Sequence, residues 1–117
     1  MTARTDFGEH YLVDFHGCDV ETISRVEPTR KVLLKAARDC GATVVGDRFH
    51  QFEPAGVSGV VLIAESHFSI HTWPEDGFVA VDIFTCGEMD AQQAIDAVAE
   101  GIRASRVASK VITRGKL

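Results

Sequence analysis

Hydrophobic and polar positions along the chain follow two periodicities. His10–Phe15 (HYLVDF) is rich in aromatic and β-branched residues, which predicts a first strand. Thr29–Cys40, which follows Pro28, repeats apolar side chains at helical spacing, and so does Asp90–Arg103 with Asp90 as a candidate N-cap. The apolar stripes of these two predicted helices are Val32, Leu33, Ala36, Ala37 and Cys40, and Ala94, Ile95, Val98 and Ile102.

Five further segments have the composition or alternation of strands. They are Thr43–Phe52 with an interruption at Gly46-Asp47, Gly56–Glu65, Ser66–Trp73, Phe78–Phe84 and Arg106–Ile112. The last residues, Thr113–Leu117, are expected to fray. Short connections such as the turn Pro74–Gly77 favour antiparallel pairing. The order β-α-β-β-β-β-α-β therefore predicts an α+β two-layer sandwich, with a mainly antiparallel sheet of about six strands and both helices on one face.

Two of the predicted strands are apolar on both faces. Val60 and Leu62 alternate with Val61 and Ile63, and Phe78–Phe84 repeats this pattern. Two helices can cover only one face of the sheet, so the other face needs a second cover. We expect a homodimer that packs through the side of the sheet, and a shallow groove on a monomer is the alternative.

Composition narrows the class of protein. The 117 residues carry 12 basic and 17 acidic side chains, and a net charge of −5 argues against a nucleic-acid partner. No apolar run approaches the length of a membrane span, so no membrane partner is expected. Cys18, Cys40 and Cys86 are a sparse, odd-numbered set that suits a reducing cytoplasm. The length fits one domain over residues 1–117.

Several side chains between residues 58 and 86 could carry chemistry. His67 and His71 have the spacing of a metal pair on a helix, but on a strand they lie roughly 13 Å apart, so no metal site is expected. Ser66, His71 and Asp82 could form a hydrolase triad, although no nucleophile elbow surrounds the serine. Cys86 follows a strand and is either a reactive thiol or a small core residue.

Trp73 and Glu75 flank Pro74 at the predicted turn. In a binding site they would supply an aromatic wall and a carboxylate that accepts hydrogen bonds from hydroxyl groups. The alternative is a packed indole beside a solvated turn residue.

The run Glu65–Glu75 (ESHFSIHTWPE), followed by Asp82–Gly87 (DIFTCG), closely resembles the signature of prokaryotic S-adenosylmethionine decarboxylase proenzymes. Further segments of the short bacterial and archaeal form are similar, so that the resemblance covers essentially the whole chain. They are GEHYLVDFHGCD, GATVV, HQFEPAGVSGVV and the final strand. His16 departs from the pattern, because many members have an aromatic residue there, usually Tyr.

The resemblance implies that the chain cuts itself between Glu65 and Ser66, giving a β-chain of residues 1–65 and an α-chain of residues 66–117. Ser66 then becomes a covalent pyruvoyl group, which takes the electron-sink role of pyridoxal phosphate; no pyridoxal phosphate and no metal are expected. His71 resembles the base that removes the serine Cα proton during this cleavage.

The resemblance also assigns the remaining site residues. Ser58 resembles a residue that stabilises the cyclic intermediate of cleavage, and Cys86 resembles the acid that reprotonates the product. Phe52 resembles an aromatic residue that stacks on adenine, Trp73 forms another wall, and Glu75 binds the ribose hydroxyls of S-adenosylmethionine. The site in such enzymes lies between two protomers, and the product is the aminopropyl donor for spermidine.

Two rival functions stay open at this point. One is a pyruvoyl decarboxylase of the same fold that acts on arginine or ornithine. The other is an unprocessed relative that serves as a binding or regulatory subunit, against which the intact Ser66, His71 and Cys86 argue.

The positions of Ser66 and His71 pose a geometric problem. Ser66 and His71 lie five residues apart and face opposite ways on a straight strand, so a bulge, a twist or a chain break must reorient one of them.

Overall fold

A computed structural model describes residues 7–86 and 89–115. Its elements are β1 (Gly8–His16), α1 (Val20–Ser24), α2 (Val26–Asp39), β2 (Val44–Gln51), β3 (Val57–Ile63), β4 (Ser66–Trp73), a 3₁₀ turn (Pro74–Asp76), β5 (Phe78–Thr85), α3 (Ala91–Gly101) and β6 (Arg106–Arg114). The strands form one sheet in the order β2-β3-β4-β5-β1-β6, and every neighbouring pair is antiparallel. The long helices α2 and α3 pack against each other and against the sheet. The predicted α+β two-layer fold is confirmed.

Several predicted boundaries were wrong for identifiable reasons. Helix α2 begins at Val26, so Pro28 lies within its first turn, where a missing N–H costs no helical hydrogen bond. The short helix α1 was not predicted. Strand β2 runs through the predicted interruption at Gly46-Asp47, because a bulge next to Val44 absorbs the irregularity. Strand β6 includes Thr113 and Arg114, so the predicted frayed tail is wrong at these two residues, and residues 116–117 lie outside the described part.

The predicted apolar stripes of both helices face the core. The buried members are Leu33, Ala36, Ala37 and Cys40 of the first stripe and Ala94, Ile95, Val98 and Ile102 of the second. Val32 is half-buried and lies against α3 at Gly101, where an added Cβ would come within 2.8 Å of the valine side chain. The close approach of the two helices therefore depends on a glycine at this position.

The opposite face of the sheet is uncovered by the described residues. Leu12 of β1, Leu62 of β3, Trp73 of β4 and Ile112 of β6 point to this bare face and are between 37% and 50% exposed. On β3, β4 and β5, most of the side chains that face the helices are buried. The predicted alternation of two apolar faces is thus confirmed. Apolar surfaces of this kind mark places where a protein binds a partner.

Strand β6 forms one edge of the sheet and is exposed along its whole length. Arg106, Lys110 and Arg114 recur on its bare face at every fourth position. Antiparallel pairing of two such edges about Lys110 would set like charges opposite each other, which is unfavourable. A second copy is therefore discouraged from extending the sheet at this edge.

No helix among residues 7–86 and 89–115 has the length and apolar character needed to cross a bilayer.

Thr72 connects the sheet to α1 through a buried hydroxyl. Its Oγ1 donates a hydrogen bond to the carbonyl oxygen of Ile23 at 2.8 Å and accepts one from the backbone N–H of Val57 at 2.9 Å. Both backbone groups would be unpaired without this hydroxyl, so Thr72 fixes the base of the strand segment that carries His71 and Trp73.

Thr72→Val should lower the free energy of unfolding by roughly 1–3 kcal/mol, because the isosteric valine leaves two buried backbone groups without partners. Urea unfolding measures the change, in a Ser66→Ala background that removes the serine of the expected cleavage. Thr113→Val on exposed β6 is the control and should change stability by less than about 0.5 kcal/mol. Equal effects of the two substitutions would contradict this role of Thr72.

Candidate functional site

The predicted site residues divide between two clefts at opposite ends of β4. The turn cleft, of about 400 Å³, lies beside the β3–β4 turn and contains Glu65, Ser66 and Cys86. The tryptophan cleft, of about 310 Å³, contains Phe52, Ser58, His71, Trp73 and Glu75. All eight residues are therefore found in clefts, but in two groups.

The turn cleft surrounds the peptide bond between Glu65 and Ser66. Ala64 and Glu65 form the tight connection from β3 to β4, and Glu65 has a φ of 65°, in the left-handed region. This conformation costs a residue with a side chain roughly 1–2 kcal/mol. The carbonyl oxygen of Thr43 accepts a hydrogen bond from Ala64 N–H at 2.9 Å and anchors the turn. A strained backbone thus precedes the serine directly.

Cys86 contacts both sides of the same peptide bond. Its Sγ donates a hydrogen bond to the carbonyl oxygen of Glu65 at 2.8 Å, and its backbone N–H donates one to Ser66 Oγ at 3.3 Å. The reading of Cys86 as a small core residue is wrong, because this thiol is exposed.

The other two thiols belong to the interior. Cys18 and Cys40 are both buried, and burial raises the pKa of the Cys18 thiol to about 11 and also raises the pKa of the Cys40 thiol. Neither residue lines either cleft. Cys86 is therefore the thiol that is available to a reaction in the turn cleft.

The tryptophan cleft contains a serine–histidine pair. Ser58 and His71 lie opposite each other on β3 and β4, and Ser58 Oγ is 2.9 Å from Nδ1 of His71. The pair projects from the bare face, where the His71 ring lies 6.3 Å from the indole of Trp73. This arrangement fixes the orientation of the imidazole and leaves its Nε2 atom directed to other groups.

The other predicted binding residues surround this pair. Phe52 follows β2 and is 47% exposed, and Trp73 ends β4 and is 41% exposed. Glu75 is exposed on the 3₁₀ turn, which closes through Gly77 in the left-handed region. A glycine suits this position because it carries no Cβ. Two aromatic faces and one free carboxylate therefore border the same cleft.

Ser66 and His71 do not meet within one chain. His71 pairs with Ser58, whereas Ser66 pairs with Ile63 at the other end of β4. Five residues of strand separate them by roughly 16 Å. The register of β4 with both neighbours is continuous, so the bulge or twist expected to bring them together is absent from this strand.

The hydrolase triad is also contradicted. The carboxylate of Asp82 accepts a hydrogen bond from Ser69 Oγ at 3.2 Å and lies 3.9 Å from Nε2 of His10, while His71 bonds to Ser58 instead. The ring of His67 lies 6.0 Å from the ring of Phe84, away from the tryptophan cleft. Among residues 7–86 and 89–115, no group of three or more His, Cys, Asp or Glu side chains is arranged to hold a metal ion.

Some contributors to the site were not predicted as site residues. The loop 41–43 and Met89 line the turn cleft, and the side chain of Gln51 bonds to both ends of the loop that carries Phe52. Loop 41–43 reaches the site because α2 ends beside the β3–β4 turn, and this placement depends on tertiary packing rather than on any local pattern.

Comparison with known proteins gives a consistent family. Residues 9–115 match the family model of S-adenosylmethionine decarboxylase. The chain is 45% identical over 109 residues to the S-adenosylmethionine decarboxylase proenzyme of Caldicellulosiruptor saccharolyticus, covering 92% of this chain and 88% of that protein. The proenzyme of Thermosipho africanus is 46% identical over 110 residues, covering 93% and 85%.

A solved structure agrees with these sequence matches. The crystal structure of the adenosylmethionine decarboxylase from Aquifex aeolicus VF5 aligns with a TM-score of 0.87 and 38% identity, covering 97% of this chain and 95% of that one. The fold and these relatives define the class as the pyruvoyl-dependent carboxy-lyases, whose cofactor comes from self-processing. The chain belongs to the S-adenosylmethionine decarboxylase family, as the resemblance predicted.

Proposed function

We propose that this chain is a proenzyme that cuts itself between Glu65 and Ser66 and then decarboxylates S-adenosylmethionine to the aminopropyl donor for spermidine. The cut would give a β-chain of residues 1–65 and an α-chain of residues 66–117. The observation that carries the proposal is the position of Cys86. It bonds to the carbonyl oxygen of Glu65, a residue in the left-handed region, and to the hydroxyl of Ser66 across the same peptide bond.

Cleavage begins when Ser66 Oγ attacks the carbonyl carbon of Glu65. The C–O bond forms as the hydroxyl gives up its proton, and the bond from that carbon to the Ser66 nitrogen breaks. The nitrogen takes up one proton in exchange, which leaves an ester and an amine. Negative charge develops on the Glu65 oxygen, and the Sγ–H of Cys86 is the donor placed to stabilise it.

A base completes the reaction by removing the Cα proton of Ser66. The Cβ–O bond then breaks and releases the Glu65 carboxylate. The new N-terminal residue reacts with water, loses ammonia and becomes the pyruvoyl ketone. The turn cleft fits this product, because the exposed thiol of Cys86 lines the same cleft as residue 66.

We assign the base to His71 of a second copy of the chain, because His71 of the same chain is roughly 16 Å distant. In this dimer the bare faces of the two copies stack against each other. A twofold axis that lies between the sheets and perpendicular to the strands relates the copies, so their β4 strands run antiparallel. The turn cleft of each copy then lies at the tryptophan cleft of the other. Because Ser66 is the first residue of β4, the imidazole of the second copy would reach its peptide around the end of the sheet. The exposed apolar side chains of the bare face support this homodimer.

Turnover would use residues from both clefts. The pyruvoyl ketone supplies an electron sink for the bond that loses CO₂. Cys86 returns a proton to the substrate carbon, which is a general-acid step. Phe52 and Trp73 of the tryptophan cleft attract the sulfonium to their faces and enclose the adenine, and Glu75 accepts two hydrogen bonds from the ribose hydroxyls. We assign the enzyme to the cytoplasm, because its three cysteines are free thiols.

Co-expression of two inactive variants tests the shared site. Ser66→Ala lacks the nucleophile and should stay intact. His71→Ala lacks the base and should stop at the ester, which is still a single covalent chain. In a mixed dimer, Ser66 of the His71→Ala chain meets the intact His71 of its partner. With equal expression and random pairing, about half of the His71→Ala chains should be cut after Glu65, as measured by mass spectrometry.

The control for this experiment replaces the Ser66→Ala chain with a Ser66→Ala/His71→Ala chain, which offers no base and should give no cleavage. An intact His71→Ala chain in both mixtures would contradict a base supplied by the partner. Wild-type protein that stays whole after purification, yet decarboxylates S-adenosylmethionine, would contradict cleavage itself.

Cys86→Ala should slow self-cleavage about tenfold, because one hydrogen bond to the developing oxyanion is lost. Cys86→Ser keeps a donor and should cleave faster than Cys86→Ala. The time course of the intact chain, followed on denaturing gels after synthesis in vitro, gives the rates. Cys18→Ala is the control, since its buried thiol touches neither cleft. Cleavage of Cys86→Ala at the wild-type rate would remove Cys86 from the first reaction.

Glu75→Gln should lower kcat/KM for S-adenosylmethionine roughly ten- to a hundredfold, because the bonds from the ribose hydroxyls to a charged group are weakened. Self-cleavage should be spared, since no ribose is present then. Asp76→Asn is the matched control, because this exposed neighbouring carboxylate does not line the cleft. Assays of wild type against S-adenosylmethionine, arginine and ornithine complete the test, and preference for a free amino acid would favour the rival function.

A further inference from the structure

The loop of residues 52–56, which carries Phe52 into the tryptophan cleft, is bonded at both ends to one side-chain amide. We propose that Gln51 is a positioning residue that fixes Phe52 for substrate binding. This inference rests on the proposed function, in which the ring of Phe52 stacks on the adenine. Gln51 itself does not line the cleft, so any effect on the substrate must pass through the loop.

The Gln51 amide joins three parts of the chain. Its Oε1 accepts a hydrogen bond from the backbone N–H of Val26 at 2.9 Å. Its Nε2 lies 2.8 Å from the carbonyl oxygen of Ser24, 2.9 Å from that of Phe52 and 3.0 Å from that of Gly56. The end of α1, the start of α2 and both ends of the loop therefore meet at one side chain.

The pattern of donors and acceptors around Gln51 suits an amide. The N–H of Val26 requires an acceptor, which Oε1 supplies. The three carbonyl oxygens around Nε2 require donors, and they share the two hydrogens of this nitrogen. A glutamate of the same shape would direct a carboxylate oxygen at these carbonyl oxygens. A methionine would fill the same space and satisfy none of these groups.

The loop depends on this junction for its shape. The N–H of Phe52 donates to the carbonyl oxygen of Gly56 at 2.8 Å, and the N–H of Gly56 donates to that of Ser24 at 3.1 Å. Arg25, which lies between α1 and α2, donates to the carbonyl oxygen of Pro54 at 2.9 Å. Arg25 also pairs with the carboxylate of Glu53 at 3.3 Å. Once Gln51 is lost, the loop keeps its own turn and its bonds to Ser24 and Arg25, but the carbonyl oxygens of Phe52 and Gly56 at its two ends lose their common side-chain donor.

The ring of Phe52 has little support apart from its backbone. It is 47% exposed, and its nearest aromatic neighbour is the exposed His50, whose ring lies 4.7 Å away in an edge-to-face arrangement. A ring that no core residue surrounds is only as well placed as the loop that bears it. A loosened loop therefore costs binding of the adenine, whereas the bonds that break and form lie in the turn cleft.

This separation predicts a particular kinetic effect. Gln51→Glu and Gln51→Met should raise KM for S-adenosylmethionine roughly five- to fiftyfold through impaired stacking, with kcat within about twofold of wild type. Self-cleavage should proceed normally, because it does not involve adenine. The dissociation constant of 5′-methylthioadenosine, measured by the fluorescence of Trp73, should rise by a similar factor. Trp73 is the sole tryptophan of the chain and lies in the same cleft.

Arg30→Gln is the matched control. Arg30 of α2 forms two hydrogen bonds with Asp47 of β2, both at 3.0 Å, so it joins the same helix to the same strand without touching the loop. Its loss should lower the melting temperature and leave KM unchanged. If Gln51→Glu and Gln51→Met also leave KM unchanged, the inference is overturned.

A double substitution shows whether Gln51 acts through Phe52. Phe52→Ala should raise KM, and Phe52→Ala/Gln51→Glu should raise it no further, because the ring that Gln51 positions is already gone. A multiplied effect in the double variant would overturn the inference while Phe52 keeps its proposed role. An unchanged KM in Phe52→Ala would instead refute the stacking role of Phe52, and the inference with it.

Discussion

Side chains on a regular strand alternate between two faces and advance by about 3.3 Å per residue. β4 obeys this rule from Ser66 to Trp73, because its register with β3 and β5 is unbroken. Ser66, the proposed nucleophile, and His71, the proposed base, are therefore kept apart by the strand that carries both. The proposed second copy would use the uncovered apolar face to bring the two clefts of different chains together.

Each end of β4 has a distinct chemical character. At the turn, backbone groups and the thiol of Cys86 surround the peptide bond that follows Glu65, a residue in the left-handed region. At the other end, aromatic faces, an imidazole and a carboxylate border a cleft suited to a cationic nucleoside. In the proposed dimer each active site combines one end from each copy. Cys86 would then act twice, first on the oxygen of Glu65 and later on the carbon of the substrate.

The sequence predicted the fold closely where local patterns are strong. The stripe of α3, the bounds of β4 and the two apolar faces of β3 and β5 were all correct, because periodicity reports directly which residues are buried. Helix α1 was missed because a five-residue helix has almost no periodicity. Strand β6 exceeded its prediction because pairing with β1 extends to Arg114, and no local signal encodes a partner strand.

The site shows the same limit of local patterns. A recognisable run of residues marked Ser66, His71 and Cys86, but the distance between the first two depends on the strand register, which the motif does not contain. The positioning role proposed for Gln51 could not be read from the similar segment that contains it, since an amide that bonds to backbone groups has no partner side chain to reveal its contacts.

The order of the strands affects how the protein can fold before and after cleavage. β1 lies between β5 and β6, and β3 lies against β4, so the pieces on the two sides of the scissile bond are interleaved in one sheet. Before the cut, these pairings form within a single chain, whose connection at the β3–β4 turn is short. After the cut, the same pairings must bring two separate molecules together, and the entropic advantage of a short loop is gone. The fold therefore forms from one chain and persists as two chains. A mature enzyme that unfolds should refold less readily than the uncut chain, because its strands must then pair between separate molecules.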